Sequence, residues 1–257
     1  MDNNSEKNPM IELRSVSKVY NKGKINEVFA LAEISLLIQK EDFLIVMGAN
    51  GSGKTSLLNV ISGAEFGSDG KVLFAGTDVS LLPEYKRSRW IARVFQDPLK
   101  GTASDMSILD NFRLAAIRTR KKKLVIGVDE AFKRRVREKI AGLGMGLENK
   151  LEQVMGTLSG GQRQALTLLM SVMDDTQILL LDEPTAALDP KTASLILQTA
   201  GQLIQQYKLT AVLITHNIKE AQQYGNRLIQ MKEGRVIRDL QGPDKKSIQL
   251  QEMLEWF

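Results

Sequence analysis

A chain of 257 residues with 43% hydrophobic side chains and a net charge of +5 is long enough to bury a full core. It has a single histidine and no cysteine, which excludes disulfides and thiol chemistry and removes the commonest route to a zinc site. No stretch approaches the roughly 18 consecutive apolar residues of a membrane helix, and the polar start, Met1 to Pro9, carries no targeting signal, so the chain is expected to stay in the cytoplasm.

Alternation over Ile11–Tyr20 predicts a strand of an antiparallel layer, with Tyr20 at its end. The apolar run Asp42–Met47 predicts a buried parallel strand that stops at Gly48. Gly48-Ala49-Asn50-Gly51-Ser52-Gly53-Lys54-Thr55 follows and fits the phosphate-binding loop G-x-x-x-x-G-K-[ST]. Glycines allow backbone N–H groups to curl around phosphate oxygens, and the helix predicted from Lys54 to about Gly63 adds its positive N-terminal end. In that setting Lys54 reaches the β and γ phosphates and the Thr55 hydroxyl ligates Mg²⁺.

Arg93-Val94-Phe95 reads as another strand, followed by Gln96. Residues from about 97 to 157 look helical, with one helix starting at Ser107 and Gly142, Gly144 and Gly146 breaking the pattern. Basic residues crowd this stretch: Arg113, Arg118, Arg120, Lys121, Lys122 and Lys123, then Lys133, Arg134, Arg135, Arg137 and Lys139. A solvated helical face is the preferred explanation, beside a nucleic-acid site and attraction to anionic lipid.

Leu158-Ser159-Gly160-Gly161-Gln162 is a second candidate phosphate turn. Ser159 caps the helix that follows, whose free N–H groups and serine hydroxyl suit a γ-phosphate. Ile178–Leu181 is a third buried strand, ending in Asp182 and Glu183. Two adjacent carboxylates there need partners; Mg²⁺ suits Asp182, and Glu183 is placed to polarise the attacking water. Ala187-Leu188-Asp189 leads into Pro190, a plain turn or more. Ala211–Thr215 is a fourth strand, and His216 lies at its C-terminal end, where open α/β sheets place ligands. Arg227–Met231 and Arg235–Ile237 predict a hairpin around Lys232-Glu233-Gly234. Ser247 to Phe257 predicts one short amphipathic helix with Ile248, Leu250, Met253, Leu254 and Phe257 as its apolar members.

Over nearly the whole chain these segments resemble the nucleotide-binding subunit of an ABC transporter. The resemblance implies an α/β fold: a P-loop NTPase (RecA-like) core with an antiparallel β subdomain and an α-helical subdomain. The ATPase domain would span 10–245 with the helical part, about 97–157, inserted, and a C-terminal helix would occupy 246–257. It implies a head-to-tail homodimer sandwiching two ATP molecules. Each ATP would meet Gly48, Asn50, Gly51, Ser52, Gly53, Lys54, Thr55 and Ser56 of one subunit, with adenine stacked on Tyr20. Ser159, Gly160, Gly161 and Gln162 would come from the other subunit. Lys54, Glu183, His216 and Gln96 are then the catalytic set, with His216 on the γ-phosphate and water, and Gln96 on Mg²⁺ and water. Thr55, Gln96 and Asp182 hold the metal, and Asp189 lies at the dimer interface.

A finer resemblance rests on Phe95-Gln96-Asp97-Pro98, on Gly161 through Met170 and on Thr185 through Thr192. It is to a bacterial importer branch whose members pair with a permease and a lipoprotein-like solute-binding protein and are proposed to carry aromatic amino acids. Pro184 departs from that branch, where histidine is frequent. The expected function is ATP hydrolysis coupled to solute import at the cytoplasmic face of the cell membrane, with no nucleic acid as partner. An exporter or lipoprotein-releasing system and a non-transport, nucleic-acid-linked ATPase stand as alternatives.

Overall fold

Apolar residues on alternate positions place Ile11 and Leu13 on the buried side of strand β1 (Ile11–Tyr20). The computed structural model describes residues 9–119, 127–186 and 188–256; Arg120 to Lys123, Ala187 and Phe257 of the sequence expectations lie outside them. Two compact units divide the chain, Met1–Arg87 with Thr210–Phe257, and Ser88–Leu209.

The first unit continues with β2 (Val28–Ile38), β3 (Phe43–Met47), α1 (Lys54–Ser62), β4 (Asp69–Phe74), β5 (Thr77–Asp78) and α2 (Glu84–Arg87). The second contains β6 (Ile91–Val94), α3 (Ile108–Ala116), α4 (Glu130–Ala141), α5 (Gly160–Ser171), β7 (Ile178–Asp182) and α6 (Pro190–Tyr207). The chain returns to the first unit with β8 (Thr210–Ile214), α7 (Ile218–Gln223), β9 (Arg227–Lys232), β10 (Arg235–Gln241), α8 (Gly242–Ser247) and α9 (Leu250–Leu254).

In the first unit an antiparallel sheet runs β2-β1-β4-β5, and β3 lies between β8 and β9 in parallel, with β10 closing the edge as a hairpin partner of β9. Ile45 pairs with Leu213 on one side and Leu228 on the other, and all three are wholly buried. A strand covered on both faces has to be a continuous apolar run, which is why Phe43–Met47 shows no alternation. In the second unit β6 pairs in parallel with β7.

Helix α1 ends at Gly63 in the left-handed region, φ 78°. A Cβ on Gly63 would lie 2.7 Å from Arg87 Nε. Arg87 is completely buried; its guanidinium donates to the carbonyls of Val60, Ile61, Val79, Ser80 and Leu82. Burial lowers its pKa to about 10, which leaves it charged at neutral pH. It ties the unsatisfied end of α1 to the segment after β5, a role that no periodicity in the sequence announces.

Helix α4 buries Phe132, Val136 and Ile140 at successive turns and turns Arg134, Arg135 and Arg137 to solvent, the pattern of a solvated basic face. The C-terminal segment differs from expectation. The helix predicted over 247–257 is confined to α9, Leu250–Leu254, and is separated by Ile248 and Gln249 from α8, which ends at Ser247. Its buried side chains are Ile248, Met253 and Trp256, whereas Leu250 and Leu254 are exposed. A turn at 248–249 resets the helical phase, so the predicted apolar stripe does not form, and the segment packs on its own unit through contacts with α7.

Candidate functional site

One group of candidate residues grows from the end of β3. Gly48 has φ 149° and Gly53 φ 100°. A Cβ at Gly48 would stand 2.2 Å from the Met231 carbonyl oxygen, and one at Gly53 would stand 2.3 Å from that of Ala30. The loop is threaded so close to β9 and β2 that only glycine fits at these two points. Gly53 also caps α1 without a side-chain hydrogen bond. That is the condition for an anion site at a helix N-terminus.

Lys54 is 6% exposed, and its ammonium donates to the carbonyls of Gly48 at 2.8 Å and Ala49 at 3.0 Å. The loop therefore holds its cation directly over the turn. Asn50, Gly51 and Thr55 are exposed, while Ser52 is buried. The Tyr20 hydroxyl donates to Glu65 at 2.6 Å and lies 3.3 Å from the Ser56 hydroxyl, which ties β1 to the first turn of α1. Lys18 sits 4.9 Å from the centre of the Tyr20 ring and 3.0 Å from Glu65. Burial, and then the hydrogen bond to Glu65, pushes the Tyr20 phenol up. Against the opposing effect of burial, Tyr20 and Lys18 hold the Glu65 carboxyl below its usual range.

His216 is exposed two residues past β8. Since Val46 pairs with Ile214, the phosphate loop and His216 leave the same end of adjacent parallel strands. The buried Thr215 hydroxyl before it donates to Glu220, and Asn217 after it caps α7, so both neighbours of the histidine are fixed.

A second group of candidate residues belongs to the other unit. Val94 pairs with Leu181, so Gln96 and the Asp182-Glu183 step also leave one sheet end side by side. Asp182 is buried, and its Oδ2 is 2.6 Å from Arg93 Nη2. Sequence reasoning missed Arg93. The signal was available, because a charged residue inside the apolar strand Ile91–Val94 needs a buried counter-charge. Glu183 is half-buried with φ 46°. A non-glycine residue there is strained by about 1–3 kcal/mol, and such residues gather at functional sites. Gln96 is exposed, and the carbonyl just before it, on Phe95, accepts from Gln164 of α5 at 2.8 Å. Gln164 is a second residue that motif reading passed over.

Ser159 caps α5 with a reciprocal box: its hydroxyl accepts from the Gln162 N–H, and the Gln162 side chain accepts from the Ser159 N–H. Ser159 and Gly160 are exposed, but Gly161 is buried. A Cβ on Gly161 would meet Thr192 Cγ2 at 2.5 Å. Gly161 is thus the point where α5 and α6 approach. Gly161→Ala is expected to destabilise the protein by about 1–3 kcal/mol through overpacking, and the added change Thr192→Ser, which deletes the opposing methyl, is expected to restore most of it. Thermal melting of the single and double variants checks this; no recovery in the double variant would refute the contact. Asp189 caps α6 through the N–H groups of Lys191 and Thr192, and the Thr192 contacts hold its carboxyl below the usual range.

Residues 31–186 match the protein family described as "ABC transporter". A tyrosine transport ATP-binding protein from Clostridioides difficile is 35% identical over 253 residues, covering 96% of this chain and 98% of the relative. A phosphonates import ATP-binding protein, PhnC, from Lactobacillus delbrueckii subsp. bulgaricus is 32% identical over 235 residues, covering 90% and 89%. Among solved structures, the dimeric post-hydrolysis state of the ATP-binding cassette MJ0796 with ADP and Pi superimposes with a TM-score of 0.78 at 29% identity, covering 90% of this chain and 98% of that one.

Proposed function

We propose, for a chain that belongs to the ABC transporter family, that it is the ATP-hydrolysing subunit of a solute importer. Its fold is that of an α/β P-loop ATP-binding cassette, and its activity is ATP hydrolysis coupled to transport. The observation that carries the reading is the phosphate loop. A buried Lys54 is held at a helix N-terminus that has no side-chain cap, inside a glycine turn with no room for a Cβ.

Phosphate oxygens entering that turn meet the N–H groups at the start of α1 and draw Lys54 from the carbonyls of Gly48 and Ala49. The adenine ring has the face of Tyr20 opposite Lys18 to stack on. The hard oxygens of Thr55, Asp182 and Gln96 suit Mg²⁺, which when bound neutralises charge on the phosphates. Arg93 holds one Asp182 oxygen and so fixes the carboxylate's orientation. Glu183 takes the proton of the attacking water as its oxygen bonds the γ-phosphorus and the bond to the β–γ bridging oxygen breaks, leaving ADP and phosphate. His216 and Gln96 orient that water. Ser159 and the first N–H groups of α5, supplied by a second copy, complete the γ-phosphate shell, with Asp189 at the joint. The catalytic domain spans 10–245 in this reading.

The similarity to tyrosine and phosphonate transport proteins supports import, and the tyrosine relative supports an aromatic amino acid as solute. Partners would be a second copy, a membrane permease that holds the chain at the cytoplasmic face, and indirectly a solute-binding protein. No helix among the described residues is long and apolar enough to cross a membrane. The test is a pull-down from detergent-solubilised membranes with the Glu183→Gln protein and MgATP. Co-purification of a polytopic permease is expected. Recovery of nucleic acid or soluble proteins alone would overturn the transport assignment.

A further inference from the structure

Glu65 follows the end of α1 and belongs to none of the nucleotide motifs. Its carboxylate nonetheless ties α1 to β1. One oxygen, Oε1, accepts from the Asn59 side chain of α1 at 3.0 Å. The other, Oε2, accepts from the Tyr20 hydroxyl at 2.6 Å and lies 3.0 Å from Lys18 Nζ. The Glu65 N–H donates to the Asn59 carbonyl at 3.2 Å, so main chain and side chain are both held on the helix. All of these residues belong to the first unit.

Lys18 and Tyr20 are alternate residues of β1 and share a face of the strand. Lys18 is held twice, by the Glu65 carboxylate and by the Phe66 carbonyl at 3.0 Å. Its ammonium stands 4.9 Å from the centre of the Tyr20 ring and takes up one face of it. Burial and then the Glu65 contact raise the Tyr20 phenol, while Tyr20 and Lys18 lower the Glu65 carboxyl against the effect of burial. At neutral pH a protonated phenol therefore donates to an ionised carboxylate, a contact roughly twice as strong as a neutral one. The Tyr20 hydroxyl is also 3.3 Å from that of Ser56, in the first turn of α1. That turn meets the phosphates in the reading above, so Glu65 fixes the aromatic ring relative to the phosphate end of the helix.

We propose that Glu65 is a positioning residue for the nucleotide base. It locks the Tyr20 ring beside the phosphate turn, so that base and phosphates meet a preorganised surface. The proposal rests on the assignment of Tyr20 as the base platform. Without the lock, the tyrosine side chain gains rotamers that stacking must freeze again, and only ligands with a base lose affinity.

The test compares ADP with inorganic pyrophosphate, which lacks the base, by calorimetric titration of the full chain with Mg²⁺. Glu65→Ala is expected to raise the dissociation constant for ADP by about twofold to tenfold, the effect of ordering one side chain, and to leave that for pyrophosphate unchanged. Tyr20→Phe keeps the ring and removes the hydroxyl, and is expected to match it. The double variant is expected to be no weaker than either single one, because both remove the same contact. In steady-state hydrolysis, Glu65→Ala is expected to raise KM for ATP more than it lowers kcat. Tyr20→Ala removes the platform itself and is expected to weaken ADP binding at least about fivefold.

Equal losses for ADP and pyrophosphate would make Glu65 a brace of α1 and overturn the proposal. Unchanged ADP binding in Glu65→Ala and Tyr20→Phe, beside a loss in Tyr20→Ala, would also overturn it and leave the stacking assignment intact. Unchanged ADP binding in Tyr20→Ala would remove the platform, and the proposal with it. Should Glu65→Ala fail to fold, Tyr20→Phe decides by the same comparison.

Discussion

Replacing Glu183 by glutamine is expected to slow ATP turnover by about 10²–10⁴-fold, the usual effect of removing a general base, while ATP affinity stays close to that of the wild type. The substitution exchanges one oxygen for an NH₂ group of the same size, so the half-buried position and its φ of 46° are retained with no new strain. The Arg93–Asp182 pair on the preceding residue is untouched, which keeps β6 and β7 joined by their buried charges. What is lost is the negative charge that draws a proton from water. Phosphate release in the steady state gives the rate, and titration with a fluorescent nucleotide gives the affinity. Turnover near the wild-type rate would remove Glu183 from the mechanism.

Lys54→Ala is expected to act on binding itself, raising the dissociation constant for ATP by roughly tenfold to a hundredfold. This is the equivalent of one charge-assisted hydrogen bond of about 1.5–3 kcal/mol. Two effects act together. The truncated side chain no longer supplies a cation to the phosphates, and the carbonyls of Gly48 and Ala49 lose the ammonium that gathers them at 2.8 and 3.0 Å. The turn therefore loses a ligand group and part of what holds its shape. Glycines at 48 and 53 pressed against the Met231 and Ala30 carbonyls should keep the loop's path, so the melting temperature should fall far less than the affinity. Calorimetric titration with ATP, beside a melting curve, separates the two. An undiminished affinity would mean that phosphate is not held at this loop.

Much of the site could be read from the chain because its parts are contiguous. A buried parallel strand, a glycine turn and a helix follow one another in Phe43–Ser62, and each has a local signature. The same holds for Ser159 as a helix cap and for the Asp182-Glu183 step at the end of an apolar run. Residues that act across long separations were not legible. Arg93 and Asp182 are 89 positions apart, and Gln164 reaches the Phe95 carbonyl over 69. Gly161 reads as a phosphate-turn glycine, yet its neighbour is Thr192. Arg87 serves five carbonyls, and carbonyls carry no sequence identity.

Sequence by itself determined the strands Ile11–Tyr20, Phe43–Met47, Ile178–Asp182 and Thr210–Ile214, the two glycine turns and the strand ends that carry Gln96, Glu183 and His216. Side-chain periodicity and glycine placement are local properties of the chain. Tertiary structure alone decided which charges meet, which glycines are forced by a neighbour's approach, and where the helical phase is reset at 248–249. It also brought Ser52, Gln230 and Trp256 to the wall of one cavity. Those outcomes depend on close packing between distant segments, where an ångström separates a hydrogen bond from an unpaired group.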